Sequence, residues 1–289
     1  MGVISIKELI AEALENSVSV AKIALERESE ALGVSKESIL KEMEIRIQVM
    51  RDSITKGLTE KQYSSSGLTD GKAYDYEKWR SKNDNSLYAK VIARALAVAE
   101  VNACMGRIVA APTAGSCGIL PAVLITYADE HNLNDTLVDA FITAGAVGMV
   151  IARNASISGA EGGCQAECGS ASAMAAAGLV ELEKLSPKAI DTAVSLTMQN
   201  ILGLVCDPVA GLVEVPCVNR NVLGAVNALS CYSMVKAGLQ SPIPADEAIK
   251  AMKEVGEALP ESLKETAKGG IANTSSAKKI ARDFFAKKP

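Results

Sequence analysis

Ala140-Phe-Ile-Thr-Ala-Gly-Ala-Val-Gly-Met-Val-Ile-Ala152 is the most hydrophobic stretch of this 289-residue chain. Asp139 and Arg153 bracket it, and it is shorter than the roughly 20 apolar residues that cross a bilayer. The stretch therefore predicts a helix buried in the core. A second run of small residues, from Ser170 to Leu185, is rich in alanine and glycine and is typical of a helix packed closely among others.

The sequence on both sides of these runs extends the helical pattern. Apolar residues recur at helical spacing from the capping box Ser5-Ile-Lys-Glu8 to about residue 50. Further helices are predicted over 86–108, 187–205, 221–237 and 244–252. Aromatic residues make up only 3% of the chain, and no stretch alternates as a half-buried strand does. We expect an all-α fold: one helical catalytic domain over residues 1–289, with residues 1–60 as peripheral helices.

The composition is that of a globular protein, with 48% apolar and 22% charged residues. The net charge is −4, whereas a nucleic-acid-binding protein typically carries a positively charged surface. Seven cysteines are too few for a disulfide framework in a chain of this length, and Met1 to Glu8 lack the apolar core of a secretion signal. We therefore expect a cytoplasmic protein without a membrane span.

Three cysteines lie in short segments marked by glycine or proline. Cys164 lies in Glu161-Gly-Gly-Cys-Gln-Ala-Glu-Cys168, Cys206 in Val205-Cys-Asp-Pro-Val-Ala-Gly211, and Cys217 in Glu214-Val-Pro-Cys-Val-Asn-Arg-Asn221. Such segments bend or expose the backbone, as a metal-binding loop requires. Thiolates are soft ligands suited to zinc or to iron–sulfur clusters. The three segments match neither a paired zinc knuckle nor a ferredoxin run, so spacing alone leaves the metal open.

Free cysteine more often behaves as a small buried hydrophobe. Cys104 and Cys231 lie in helical runs and fit that interpretation, while Cys117 is compatible with either. Cys168 follows Cys164 by four residues, so on a helix the two would share a face. A labile disulfide, a second ligand, or a redox sensor on a non-enzymatic helical scaffold therefore stay open as alternatives.

A second motif runs from Ala110 to Pro121 and holds small residues between two prolines. Small residues before a helix leave N–H groups and hydroxyls free to bind an anion. Thr113, Gly115, Ser116 and Gly118 are therefore candidates for a carboxylate or phosphate cradle, although a plain tight turn fits equally well. A pyridoxal-phosphate cup is disfavoured, because alternating strands and helices are missing. The loop from Tyr63 to Gly71 is either a surface linker or a functional loop.

Residues 111–122, 161–172 and 206–221 closely resemble the iron–sulfur L-serine dehydratases. The chain as a whole looks like the α subunit of the two-subunit form, with the weakest likeness in the first sixty residues. The resemblance implies a lyase of amino-acid catabolism that deaminates L-serine to pyruvate and ammonia without pyridoxal phosphate. A related iron–sulfur lyase, such as a cysteine desulfidase or a threonine dehydratase, shares the same motifs and stays open.

The resemblance also implies the residues of the site. An oxygen-sensitive [4Fe-4S] cluster is expected on Cys164, Cys206 and Cys217. The substrate carboxylate is expected on Thr113, Ala114, Gly115 and Ser116. Polar neighbours of the cysteines are expected to orient them, or to form salt bridges at helix ends: Glu161, Asp207, Glu214, Asn219 and Arg220.

The general base is the part that this chain does not supply. Relatives carry a Ser-Ser-His-Thr motif in the part corresponding to the β subunit, and that motif is absent here. The sole histidine, His131, lies in a polar stretch that predicts solvated surface. We therefore expect the base to come from a β subunit in an oligomer. No cysteine follows Cys231, so the C-terminal cysteine of single-chain relatives has no counterpart at the iron.

Overall fold

A computed structural model describes residues 5–286; residues 1–4, which carry part of the expectation about a secretion signal, and residues 287–289 lie outside it. Thirteen α-helices and no strand occur in residues 5–286, which confirms the all-α, single-domain prediction. The helices are α1 Ile6–Glu15, α2 Val20–Leu32, α3 Lys36–Thr59, α4 Lys72–Asn83, α5 Leu87–Ala103, α6 Ile119–His131, α7 Leu137–Asn154, α8 Gly159–Gly162, α9 Ser170–Leu182, α10 Lys188–Ile201, α11 Cys217–Lys236, α12 Ala245–Ala258 and α13 Ser275–Ala286.

Helix α9 forms the centre of the bundle, and all thirteen of its residues are buried. It packs against α6, α7, α10 and α11. Gly178 permits the close approach of α9 to its neighbours, because a Cβ there would lie 2.9 Å from the Leu124 side chain and 3.0 Å from the Ala140 carbonyl oxygen. Helix α7 carries the hydrophobic stretch that predicted a core helix. Residues 134–154 are long and apolar enough to cross a membrane, but 61% of that window is buried inside the protein.

Serine side chains cap the N-termini of four of the helices. Ser5, Ser19, Ser35 and Ser86 each accept a hydrogen bond from the backbone N–H three residues later, with distances of 3.0, 3.2, 3.2 and 3.2 Å. Such caps satisfy backbone donors that the first turn of a helix leaves free. The N-terminus of α1 is also fixed to α12, since Asp246 accepts from the Ile6 N–H at 2.9 Å.

Four predicted boundaries were wrong by several residues: α12 runs on to Ala258 rather than ending at 252, and the other three corrections concern the site. Helix α5 ends at Ala103 rather than near 108, because Met105 takes a left-handed φ of 60°. Helix α10 ends at Ile201 rather than near 205. Helix α11 begins at Cys217 rather than at 221, so this cysteine lies in the first turn of a helix.

Candidate functional site

The three sequence motifs meet in one place, and Asn221 is one of the residues that join them. Its side chain accepts from the Gly118 N–H at 2.8 Å and donates to the Gly115 carbonyl at 2.8 Å. Arg220, the residue before it, donates from Nη1 to the Cys164 Sγ at 3.3 Å. The start of α11 therefore contacts both the 113–118 turn and the Cys164 segment.

Buried cysteines form the centre of this site. Cys164, Cys168 and Cys206 are each 2% exposed, and Cys217 is 7% exposed. The Sγ atoms of Cys164 and Cys206 and a carboxylate oxygen of Glu167 lie within 4.8 Å of one another. Cys217 lies outside that group, but its thiol is influenced by the charges of Cys164 and Glu167. All three cysteines predicted as ligands thus contribute to one electrostatic environment.

The sulfurs share negative charge unevenly. Hydrogen bonds from Cys168 and Cys206, together with the charge of Arg220, lower the pKa of Cys164 to about 3. That anion in turn raises the pKa of Cys206, and burial raises the pKa of Cys217 to about 12. The protein alone therefore stabilises one thiolate among these thiols. Only a positively charged group bound between them would favour several thiolates at once.

Arg220 is the cation that the site already contains. Besides Cys164, it donates to the Val205 carbonyl oxygen at 2.8 Å and forms a 2.8 Å ion pair with Asp207. Its charge is thereby fixed beside the Cys206 segment. Of the five polar neighbours named from the sequence, Asp207 and Arg220 contact this centre, whereas Glu161 and Asn219 are exposed.

Glu167 is a site residue that the sequence analysis missed. Its Oε1 accepts a hydrogen bond from the Thr113 Oγ1 at 2.8 Å, and Thr113 is also 3.1 Å from the Ser116 Oγ. Two glycines make room for the carboxylate: a Cβ on Gly115 would lie 3.1 Å from Oε1, and one on Gly159 would lie 2.7 Å from Oε2. Burial raises the pKa of Glu167 to about 7.

A π-helical turn over Gln165–Gly169 sets the direction of these side chains. Turns of this kind are rare and often lie at functional sites. Gln165 fixes the turn to its surroundings: its backbone N–H donates to Leu204 at 2.9 Å, and its side chain accepts from the Gly203 N–H at 2.9 Å. Cys164 and Cys168 thus flank or lie in a π-helical turn rather than a regular α-helix, and their thiols are still in hydrogen-bond contact.

A C-terminal segment, residues 263–271, covers the Cys206 loop; we call it the clasp. The Cys206 N–H donates to Leu263 at 2.8 Å, and the Glu265 N–H donates back to the Cys206 carbonyl at 2.8 Å. The Ile271 N–H donates to Asp207 Oδ2 at 2.6 Å. Since Asp207 also pairs with Arg220, the clasp is connected to the cysteine centre through two side chains.

The 63–71 loop is fastened to the segment that carries Cys217. Hydroxyls of Ser64, Ser66 and Thr69 donate to the buried Glu214 carboxylate at 2.6, 2.6 and 2.7 Å. Glu214 thus holds a loop, and within residues 5–286 it forms no salt bridge. The loop is anchored to the segment that carries Cys217, and both interpretations made from the sequence, a surface linker and a functional loop, stay open.

The remaining cysteines named from the sequence, and the histidine, have other surroundings. Cys117 is fully buried beside the Val98 carbonyl, and Cys231 is fully buried in α11. His131 is exposed at the last turn of α6, stacked on Tyr127 with ring centroids 4.0 Å apart. The 113–118 turn precedes the first turn of α6, and thirteen residues of helix span roughly 20 Å. His131 therefore cannot reach a substrate bound at that turn.

Comparison with known proteins places the chain in a family. A family model described as serine dehydratase alpha chain matches residues 15–272. The chain belongs to that family. The probable L-serine dehydratase alpha chain of Bacillus subtilis is 44% identical over 287 residues, covering 97% of this chain and 95% of the relative. The L-serine dehydratase alpha chain of Peptoniphilus asaccharolyticus is 43% identical over 283 residues, covering 96% and 97%.

Another relative is much longer than this chain. The L-serine dehydratase of Streptomyces coelicolor is 40% identical over 277 residues, which are 92% of this chain but 59% of that protein. The likeness to iron–sulfur L-serine dehydratases that the three motifs indicated is thereby confirmed at the level of the serine dehydratase alpha chain family.

Proposed function

We propose that this chain is the catalytic α subunit of an L-serine dehydratase, which converts L-serine to pyruvate and ammonia. We further propose that Cys164, Cys206 and Cys217 hold a [4Fe-4S] cluster. The single observation that carries both proposals is the position of the buried thiols beside the 113–116 turn, with Glu167 between them. The donor set fits such a cluster, because sulfur is a soft ligand and a cationic group would favour the additional thiolates.

The cluster, when bound, supplies a Lewis acid that stabilises negative charge on a departing hydroxyl group. The protein's own residues would orient the substrate. Because Thr113 donates its hydroxyl proton to Glu167, the 113–116 turn would bind the substrate carboxylate through the Ser116 hydroxyl and backbone N–H groups, which would also stabilise charge that develops there as the α proton leaves. Hydrogen bonds from Cys168 and Cys206, together with the charge of Arg220, lower the pKa of Cys164 and favour its thiolate, and Arg220 also fixes that sulfur by a direct hydrogen bond. Burial of the cysteines keeps water away from the sulfurs.

The α proton needs a base, and we propose that a β subunit provides it. His131 is too distant, and the alpha-chain names of the full-length relatives support a partner chain. The longer Streptomyces coelicolor relative is consistent with both parts in one polypeptide. We accordingly propose a cytoplasmic oligomer of α and β chains, in which residues 1–289 form the catalytic unit and residues 1–60 its peripheral helices.

The test is anaerobic reconstitution of the full chain with iron and sulfide, followed by metal analysis, an absorption spectrum and a pyruvate assay with L-serine. Cys206→Ser should lose the brown cluster, while Cys231→Ser, which changes a buried cysteine of α11, should keep it. Addition of a β chain should raise pyruvate formation. A colourless wild type, or activity that follows added pyridoxal phosphate, would contradict the proposal.

A further inference from the structure

A carboxylate stands beside the turn that is proposed to bind a carboxylate. Glu167 Oε1 is 2.8 Å from Thr113 Oγ1, and a Cβ on Gly115 would lie only 3.1 Å from the same oxygen. Two carboxylates held side by side repel each other unless a positive charge lies close to both or one of them takes up a proton. A ligand that brings its own cation together with its carboxylate would satisfy both the turn and Glu167.

The protein does not supply that cation itself. Among residues 5–286, Glu167 forms no ion pair, and its hydrogen-bond partner is Thr113. Arg220 is the nearby cation, but it is engaged by Cys164, Val205 and Asp207. The Glu167 side chain is partly rather than fully buried, and within residues 5–286 its hydrogen bond from Thr113 occupies Oε1 and leaves Oε2 without a donor.

The other carboxylates around the cysteines already have partners or face elsewhere. Asp207 binds Arg220 and the Ile271 N–H. Glu214 accepts three hydroxyls from the 63–71 loop. Glu265 is exposed and lines a cavity of about 760 Å³ together with residues of α13. Glu167 is thus the carboxylate of this group that both touches the 113–116 turn and keeps an oxygen available.

We propose that Glu167 binds the ammonium group of an α-amino acid whose carboxylate is bound by the 113–116 turn. The inference rests on the proposed function, because it assigns the second charged group of the same substrate. In an α-amino acid both charges are attached to one carbon, so their two binding groups must be neighbours, as Thr113 and Glu167 are. Gly115 and Gly159 lack the side chains that would clash with the Glu167 carboxylate. Glu167 then selects amino acids over hydroxy acids of the same length.

The experiment compares L-serine with 3-hydroxypropionate, which is serine without its ammonium group. Binding of each is measured by calorimetry on the anaerobically reconstituted full chain, without the β chain, and iron and sulfide are measured in every sample. The variants are Glu167→Gln and, as a control that removes another negative charge near the cysteines, Glu265→Gln. Loss of a hydrogen bond to a charged partner should weaken L-serine binding roughly tenfold to a hundredfold in Glu167→Gln. Binding of 3-hydroxypropionate should stay within about twofold, and Glu265→Gln should resemble the wild type.

Three outcomes would overturn the assignment. Glu167→Gln could bind L-serine as the wild type does, or lose both ligands equally, or lose its iron, in which case Glu167 is a metal ligand.

The wild type gives an independent check if the variant does not fold: L-serine must bind at least tenfold more tightly than 3-hydroxypropionate. Equal binding of both would refute the role of Glu167 while leaving the dehydratase proposal intact. A loaded wild type that neither binds L-serine nor forms pyruvate with a β chain would refute the dehydratase proposal itself.

Discussion

Substitution of Gly270 by alanine, which adds one methyl group, tests how much the clasp contributes to stability. The φ of Gly270 is +56°, and a Cβ added there would lie 2.1 Å from Asp207 Oδ2 and 2.7 Å from the Asp207 Cβ. An alanine cannot occupy that space, so the clasp must move away from Asp207. The hydrogen bond from the Ile271 N–H to Asp207, 2.6 Å long, would then be lost.

The cost has two parts. A left-handed conformation costs alanine about 1 kcal/mol after the reduced entropy of the unfolded chain is counted. A hydrogen bond to a charged acceptor contributes about 2 kcal/mol. Gly270→Ala should therefore lower the free energy of unfolding by about 3 kcal/mol. Gly33→Ala is the matched control, because Gly33 has a φ of +66° and nothing lies within 4 Å of its added Cβ; it should lose only about 1 kcal/mol.

Urea unfolding of both variants and the wild type, followed by circular dichroism, measures the difference. In reconstituted protein, Gly270→Ala should also release iron faster than Gly33→Ala, because the clasp bonds directly to the backbone of Cys206. Equal destabilisation of the two variants would refute the argument, since it would mean that the contact with Asp207 contributes nothing beyond backbone strain.

Two further predictions concern buried carboxylates. In the folded chain without metal, burial raises the pKa of Glu167 from the ordinary 4.5 to about 7. Because the unfolded chain releases this proton at lower pH than the folded chain does, the free energy of unfolding should fall by about 3 kcal/mol as the pH rises from 4.5 to 7. Urea unfolding of Glu167→Gln should lack that component, and identical pH profiles would contradict the assignment. Ser66→Ala removes a 2.6 Å hydrogen bond to Glu214 and should lower the free energy of unfolding by about 2 kcal/mol. The control Ser65→Ala, at an exposed position, should change it by less than about 0.5 kcal/mol. Equal values for the two variants would show that the hydrogen bond to Glu214 is not stabilising.

Local patterns were enough to predict the helices. The capping box at Ser5 predicted where α1 begins, and the apolar run over residues 140–152 predicted the buried α7. Helix ends were predicted less well, because they depend on tertiary contacts. Nothing in the sequence around Met105 marks the left-handed turn that ends α5. Likewise, a long-range hydrogen bond from Gln165 to Leu204 accompanies the π-helical turn, and periodicity within a segment carries no signal for such a bond.

The site was predicted in its parts but not in its connections. Each cysteine stood out because glycine or proline surrounds it. Glu167 did not stand out, because its role depends on Thr113, which is 54 positions away along the chain. One signal was present: Glu167 lies between two cysteines in a glycine-rich segment, where a charged residue is costly to bury without a purpose. Glu214 was noticed, but its partners in the 63–71 loop lie about 150 positions earlier.

The clasp also bears on the order in which the protein matures. Cys164, Cys206 and Cys217 are all synthesised before residues 263–271, so the Cys206 loop is complete while the segment that covers it is still being made. Iron and sulfide delivered to the growing chain would meet an open loop. Once the clasp has formed, the proposed cluster would have to enter a loop that two backbone hydrogen bonds at Cys206 already fasten. Because the clasp follows all three cysteines in the sequence, insertion of the proposed cluster would be easiest before the clasp is made.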